Sequence, residues 1–410
     1  MDKDIYHEEY IPSPLILDKY ADLLVNFSLN KGRGLQDGEV VNLRLWKDAY
    51  PMRTHIEKYI LQAGGKLIDN LVPINDFDTN LYASIYTQQL QEHYAKISQS
   101  IIEQSDHEIV IVSDDYWNAL ESIDNTLLLL YQDIKKNYNT IKSAKMKTSN
   151  LWYALAYYPT KSMADAAGLT MKEYREEIIH ACFLDEINPK EKRKEVFTQL
   201  HSYRDKLSDM NIKSLYIRSK DVDLKIKIGS DRKWLWWTYR NMPSYEIFVS
   251  PDRRGTEWLI NFSEPLYEKW KLIDGIKLIF KEGRVVKATA KIWEDFLHML
   301  LQTKNFDKIG EFSFTDNRFS RINKFMANSL YDENRWWAFG NMHIALWDSY
   351  KDSYKWDENM LTQKDFEEKW FNSSSLHIDM ISTQDRIVTA KLENWEEKII
   401  YKNWQFTLDD

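Results

Sequence analysis

At 410 residues and a net charge of −8, the chain is long enough for two domains with cores of their own, and its Lys and Arg are spread without the basic stripe of a nucleic-acid binder. The longest apolar run, Leu127-Leu128-Leu129-Leu130-Tyr131, is too short to span a bilayer, and Cys182, the single cysteine, excludes a disulfide within the chain. The opening MDKDIYHEEYIPSP has neither the basic nor the apolar region of a signal peptide, so a soluble cytoplasmic protein without nucleic-acid or membrane partners is expected.

Leu17, Tyr20, Ala21, Leu24 and Val25 fall at the spacing of an amphipathic helix. Lys31-Gly32-Arg33-Gly34 precedes a strand instead of joining a strand to a helix, and reads as a turn, not a phosphate loop. EVVNLRL (39–45) is a predicted strand, and a helix from about Tyr50 to Gln62 ends at Gly64-Gly65 before the strand KLIDNLV (66–72). A long polar helix, the strand EIVIVS (108–113), more helix to about Lys147 and the strand LWYALAY (151–157) follow. Strands alternating with helices imply a mainly parallel sheet in an α/β N-terminal domain, residues 1–212. His180 and Cys182 lie two apart on a predicted helix, face different directions, and read as structural.

The segment from Pro189 to about Met210 is charged and helical, and links this domain to a second with a different period. Leu224, Ile226 and Ile228 alternate with Lys225 and Lys227, as in a half-buried strand. Hairpins are expected at 276–288 and 388–401, with helices near 291–303 and 318–330. Residues 213–410 therefore read as a β-rich α+β domain. Its chemistry is concentrated in a few polar residues. His377 and Asp379, two apart in a strand, point to one face and can reach one metal. His343, with Glu246 and Glu311 in apolar strand-like surroundings, completes a mixed N/O donor set of the kind that suits zinc, cobalt or manganese. Spacing alone leaves a structural role open for each.

The same residues carry a family likeness. NMPSYEIFVSPDRRGTE, IGEFSFTD, LYDEN with GNMHIAL and DSY, and SSSLHIDM occur in the order and spacing of the aminopeptidase T family of metal-dependent aminopeptidases, which includes AmpS and PepS, and the chain resembles that family from YADLLVNFSLNKGRGLQDGEVV onward. The resemblance implies two divalent metal ions held by Glu246, Glu311, His343, His377 and Asp379. It implies Tyr350 as oxyanion partner or ligand, Glu311 as general base, release of N-terminal amino acids from peptide substrates, and a homodimer. The rival expectation is an inactive relic that keeps the fold as a binding or dimeric scaffold.

The tryptophans depart from this pattern. The chain has 16 tryptophans and 12 glycines, so glycine is about 3% of residues against a usual value of roughly 7%. Trp236, Trp237, Trp258, Trp270, Trp336, Trp337, Trp347, Trp356, Trp370, Trp395 and Trp404 stand where the family has glycine, and Trp293 belongs with them. Trp152 and Trp234 match aromatic positions of the family. Asn394-Trp395 and Asn403-Trp404 lie where two-residue hairpin turns favour Asn-Gly. Glycine at the twelve positions would raise the glycine count to 24 and lower tryptophan to four. The expected cause is a codon, UGA, read as glycine in the source lineage and as tryptophan in this chain.

Overall fold

The computed structural model describes residues 12–72, 88–113, 140–146, 148, 150–236, 239–268, 271–337, 340–374 and 377–409. Trp117, Trp237 and Trp270, and most of the helix expected between residues 114 and 147, lie outside them. The chain divides into two compact units, Met1–Lys192 with Tyr239–Pro243, and Arg193–Thr238 with Ser244–Asp410. Among the described residues no helix is long and apolar enough to cross a membrane.

The first unit is built on parallel strands β1 (Val40–Trp46), β2 (Lys66–Val72), β3 (His107–Val112) and β4 (Trp152–Tyr157), in the order β2-β1-β3-β4 and extended by the short strand Asn241–Met242. Helices α1 (Pro14–Leu23), α2 (Arg53–Gln62) and α3 (Gln88–Gln104) precede these strands or cross between them. β3 is buried at all but its last residue and β1 at four of its seven, as befits inner strands of a parallel sheet. Helices α4 (Lys161–Ala166) and α5 (Met171–Ala181) follow, and the unit boundary falls in the first turn of α6 (Pro189–Asp209). Cys182 is fully buried against the Tyr20 hydroxyl, while His180 lies on the exposed side near Asp185.

Among the described residues, the second unit holds two large antiparallel sheets and a two-stranded one that pairs Leu266–Glu268 with Lys271–Ile273. Strands β5 (Ile212–Arg218), β6 (Val222–Lys227), β8 (Glu257–Asn261), β9 (Lys277–Lys281), β10 (Arg284–Thr289), β14 (Ile387–Leu392), β15 (Glu397–Lys402) and β16 (Gln405–Phe406) form one large sheet, in the order β10-β9-β8-β6-β5-β14-β15-β16. Strands β7 (Glu246–Val249), β11 (Ile309–Thr315), β12 (Asn341–Trp347) and β13 (His377–Ser382) form the other, in the order β13-β12-β11-β7. Helix α7 (Glu294–Leu301) leads from the first sheet to the second, while α8 (Ser329–Asp332) and α9 (Gln363–Glu368) join strands within the second.

The helix expected near 318–330 does not form; only α8 is helical there. Side chains take the backbone groups that a helix would use. Asp316 accepts from the Arg318 N–H, Ser320 Oγ from Ile322 N–H, and Asp332 from Met326 and Asn328 N–H. Short polar side chains that bond nearby backbone in this way compete with helix.

Among the described residues, five of the unusual tryptophans adopt the left-handed backbone: Trp258 (φ 79°), Trp293 (60°), Trp370 (66°), Trp395 (71°) and Trp404 (66°). Trp46, Trp152 and Trp234 do not. Asn403-Trp404 forms the two-residue loop of a hairpin with φ of 53° and 66°, matching Glu282-Gly283 with 51° and 77°. The expected two-residue turn at Asn394-Trp395 is instead a three-residue loop. Trp395 N–H donates to Leu392 O, Leu392 N–H to Glu396 O, and Trp395 alone takes the left-handed position that glycine favours there. A side chain in that region costs about 1–2 kcal/mol. The indole of Trp395 also lies over Lys213 and Lys391, an attraction independent of the backbone cost. Trp395→Ala and Trp395→Gly both remove that attraction, so their difference isolates the strain. The glycine variant should exceed the alanine variant by about 1 kcal/mol in urea unfolding, against the usual preference for alanine.

Candidate metal centre

The registers of the four-stranded sheet decide which side chains meet. Directly opposite residues of an antiparallel pair share a face. Thr315 faces Glu246, Ser313 faces His343, Glu311 faces Ala345, and Ala345 faces Asp379. With the two-residue period, Glu246, Glu311, His343, His377 and Asp379 all project from one face. The other face carries Ile247, Phe312, Phe314, Ile344, Leu346, Ile378 and Met380, all buried. Phe314 stacks on Trp234 and Tyr401, so the apolar side anchors the sheet while the polar side builds a site.

All five side chains predicted from sequence come together, and a sixth joins them. The donor atoms of Glu246, Glu311 and His343 lie within 4.8 Å of one another, as do those of Glu311, His377 and Asp379, and those of Glu333, His343 and Asp379. His343 Nε2 is 3.2 Å from Glu246 Oε2 and 3.6 Å from Glu311 Oε1, and His377 Nε2 is 2.9 Å from Asp379 Oδ2. Ser313 Oγ donates to Glu246 Oε2 at 3.0 Å, and Ser329 Oγ to Asp379 Oδ2 at 3.1 Å. The Tyr350 ring packs edge-on near Phe248 and His377, with centroids 5.1 and 6.3 Å away. Its backbone N–H donates to Ser250 Oγ at 2.8 Å.

Glu333 was not singled out by sequence reasoning. Its signal was the LYDEN segment, where an acid stands between two other polar residues just ahead of the histidine strand. Each of the three has its own task. Asp332 accepts two backbone N–H groups, from Met326 at 2.7 Å and Asn328 at 2.9 Å, and so holds the loop. Glu333 turns to the site, and Asn334 packs behind it.

Four carboxylates with two imidazoles in a buried site is an unbalanced set. Two unit charges about 5 Å apart repel by roughly 3 kcal/mol at an effective dielectric of about 20. The protonation tendencies record the conflict. Burial pushes the Glu311 carboxyl up to about 7 despite the His343 imidazole beside it. Burial, with the charges of Glu246 and Asp379, raises Glu333 well above the carboxylate range. Burial opposes the charged form of His343, yet hydrogen bonding to Glu246 and Glu311 holds it well above its ordinary value. Burial also opposes ionised Asp379, but the His377 imidazole overrides it and brings the carboxyl down to about 2. His343 Nδ1 and Asp379 Oδ1 are buried and make no hydrogen bond. A carboxylate-rich donor set of this kind fits divalent cations.

The sequence pattern of the thermophilic metalloprotease (M29) family matches residues 15–406. The chain belongs to that family. Among similar members are aminopeptidase AmpS of Bacillus subtilis (strain 168), 24% identical over 95% of this chain and 98% of its own, and aminopeptidase 2 of Geobacillus stearothermophilus, 22% identical over 96% and 98%. The fold is that of wild-type AmpT from Thermus thermophilus, with a TM-score of 0.79 at 17% identity over 96% of this chain and 99% of that one. As an M29 enzyme the chain is a metal-dependent peptidase, and the family expected from its motifs is the family found. For such an enzyme the loop that carries Glu333 has to be held in place. Asp332→Ala should cost roughly 3 kcal/mol in urea unfolding, because two buried N–H groups lose their acceptor.

Proposed function

We propose that this chain is an aminopeptidase that releases N-terminal amino acids from peptides at a site for two divalent cations. Supporting this reading are the two donor triads that share one residue. Glu246, Glu311 and His343 form one triad and Glu311, His377 and Asp379 the other, so Glu311 is placed to serve both. Glu333, near His343 and Asp379, belongs to neither of these two. Zinc, cobalt or manganese bound there supplies Lewis-acid polarisation of the scissile carbonyl and a lowered pKa for the attacking water.

The chain's own groups supply the rest. The family likeness implied Glu311 as general base; in this assignment Glu311 is instead the shared ligand, and Glu333 is the carboxylate that accepts the proton of the attacking water and passes it to the leaving amine. The Tyr350 hydroxyl, beside His377, donates to the developing oxyanion. Ser313 and Ser329 hold one oxygen each of Glu246 and Asp379, which leaves the opposite oxygens available. A homodimer in the cytoplasm completes the reading, and sedimentation velocity checks the dimer.

The test joins metal content to turnover. Dialysis against a chelator should abolish cleavage of aminoacyl anilides, and zinc or cobalt should restore it with two ions per chain by elemental analysis. Glu311→Gln should lose at least one ion per chain. Glu333→Gln should keep two ions while kcat falls about 100-fold or more. A single ion per wild-type chain, or Glu311→Gln with full metal content, would overturn the two-cation assignment.

A further inference from the structure

We propose that Asn334 is a positioning residue that sets Glu333 against the Glu246 strand; this rests on the metal-site reading above. Asn334 is fully buried, and each of its polar groups is engaged. Its Oδ1 accepts from Tyr245 N–H at 2.6 Å, one residue before Glu246. Its Nδ2 donates to Leu330 O at 3.0 Å and faces Glu333 Oε1 at 3.3 Å. Its carbonyl accepts from the Ser320 hydroxyl. One amide thus ties the strand that presents one site carboxylate to the side chain of another. Glu333 is no ligand of the two triads, but its carboxylate lies within 4.8 Å of the donor atoms of His343 and Asp379, so its placement sets part of the negative charge that bound cations meet. Groups that orient site residues from behind typically change metal affinity or activity by 10–100-fold when removed.

The measurement is zinc binding to the metal-free full chain by calorimetry, in a double-mutant cycle. Asn334→Asp keeps the acceptor for Tyr245 N–H and places an oxygen against Glu333. It should change zinc affinity at least tenfold in the wild-type background and less than twofold in Glu333→Gln. An equal change in both backgrounds would overturn the positioning role, since a structural defect or added charge acts regardless of residue 333. If Glu333→Gln alone leaves both affinity and turnover unchanged, it is the metal-site reading that fails. Asn334→Ser gives the same cycle should Asn334→Asp not fold.

A separate observation carries a second inference. We infer that the five left-handed tryptophans are glycine in the protein as its own cell makes it. Trp370 stands one residue past the C-cap of α9. Its N–H donates to Glu367 O, and Phe371 N–H donates to Phe366 O. After α2, Gly64 N–H donates to Leu61 O and Gly65 N–H to Ile60 O; after α4, Gly168 N–H donates to Asp165 O and Leu169 N–H to Ala164 O. The three helix ends share one hydrogen-bond pattern, whose left-handed position is usually glycine. Trp404 repeats Gly283 in the same way. Nine of the chain's own glycines have positive φ, so these tryptophans behave as its glycines do. Phe183 occupies the corresponding position after α5, which shows that an aromatic residue is sterically possible there. Apart from asparagine, the other non-glycine residues with positive φ are Lys31, Phe183, Glu282 and Ala327, one of each type, whereas five of one residue type point to one codon.

Peptide mass spectrometry of the protein from its source organism decides this. Glycine masses at 258, 293, 370, 395 and 404, from UGA codons, are expected. Tryptophan masses, or UGG codons, at these positions would overturn the inference.

Discussion

The second unit is organised around an electrostatic problem that the chain alone does not solve. Glu246, Glu311, Glu333 and Asp379 are buried together with the His343 imidazole, and the half-buried His377 borders them. Folding brings these charges close because each sits on a strand or loop fixed by something else. Aromatic packing on the reverse face of the sheet sets the strands, and Asp332 and Asn334 set the loop. The scaffold is therefore stable for apolar reasons and imposes an unfavourable arrangement on its polar face. A site of that kind is preorganised for cations, since the cost of gathering the donors is met by the fold and not by binding.

The distribution of roles along LYDEN shows how little sequence this requires. Three successive polar residues point to three destinations: Asp332 into backbone N–H groups, Glu333 into the site, and Asn334 into the strand that begins at Glu246. Asp332 ends α8 and Glu333 keeps a helical backbone (φ −65°, ψ −20°), so successive side chains fan out by about 100° and reach different neighbours. The irregular backbone lies before α8, where the Met326 and Asn328 N–H groups are free to donate to Asp332.

Much of the architecture was legible in the sequence. KLIDNLV (66–72) coincides with β2, the Gly64 C-cap was visible, and the alternation after residue 222 announced an antiparallel sheet. The His-x-Asp pair shares a face because a strand has a period of two, and that too was readable. Three features were not. The irregular loop at 316–328 was hidden because side-chain to backbone bonds look like helix-compatible spacing until partners are known. Glu333 was hidden because its contribution depends on non-local register. The loop at 392–396 was hidden because one residue of loop length separates two turn types with similar residues.

Ala345 has a consequence of its own. It lies directly opposite both Glu311 and Asp379, and its side chain is the smallest that a strand can carry there with normal geometry. A methyl group is thus all that stands between the two carboxylates on this face of the sheet. Occupancy of the donor positions does not guarantee function in a relative of this chain. A branched residue at the position of Ala345 would stand between the carboxylates of Glu311 and Asp379 while every donor stayed in place. An inventory of conserved acids and histidines would then mistake a sealed site for a working one.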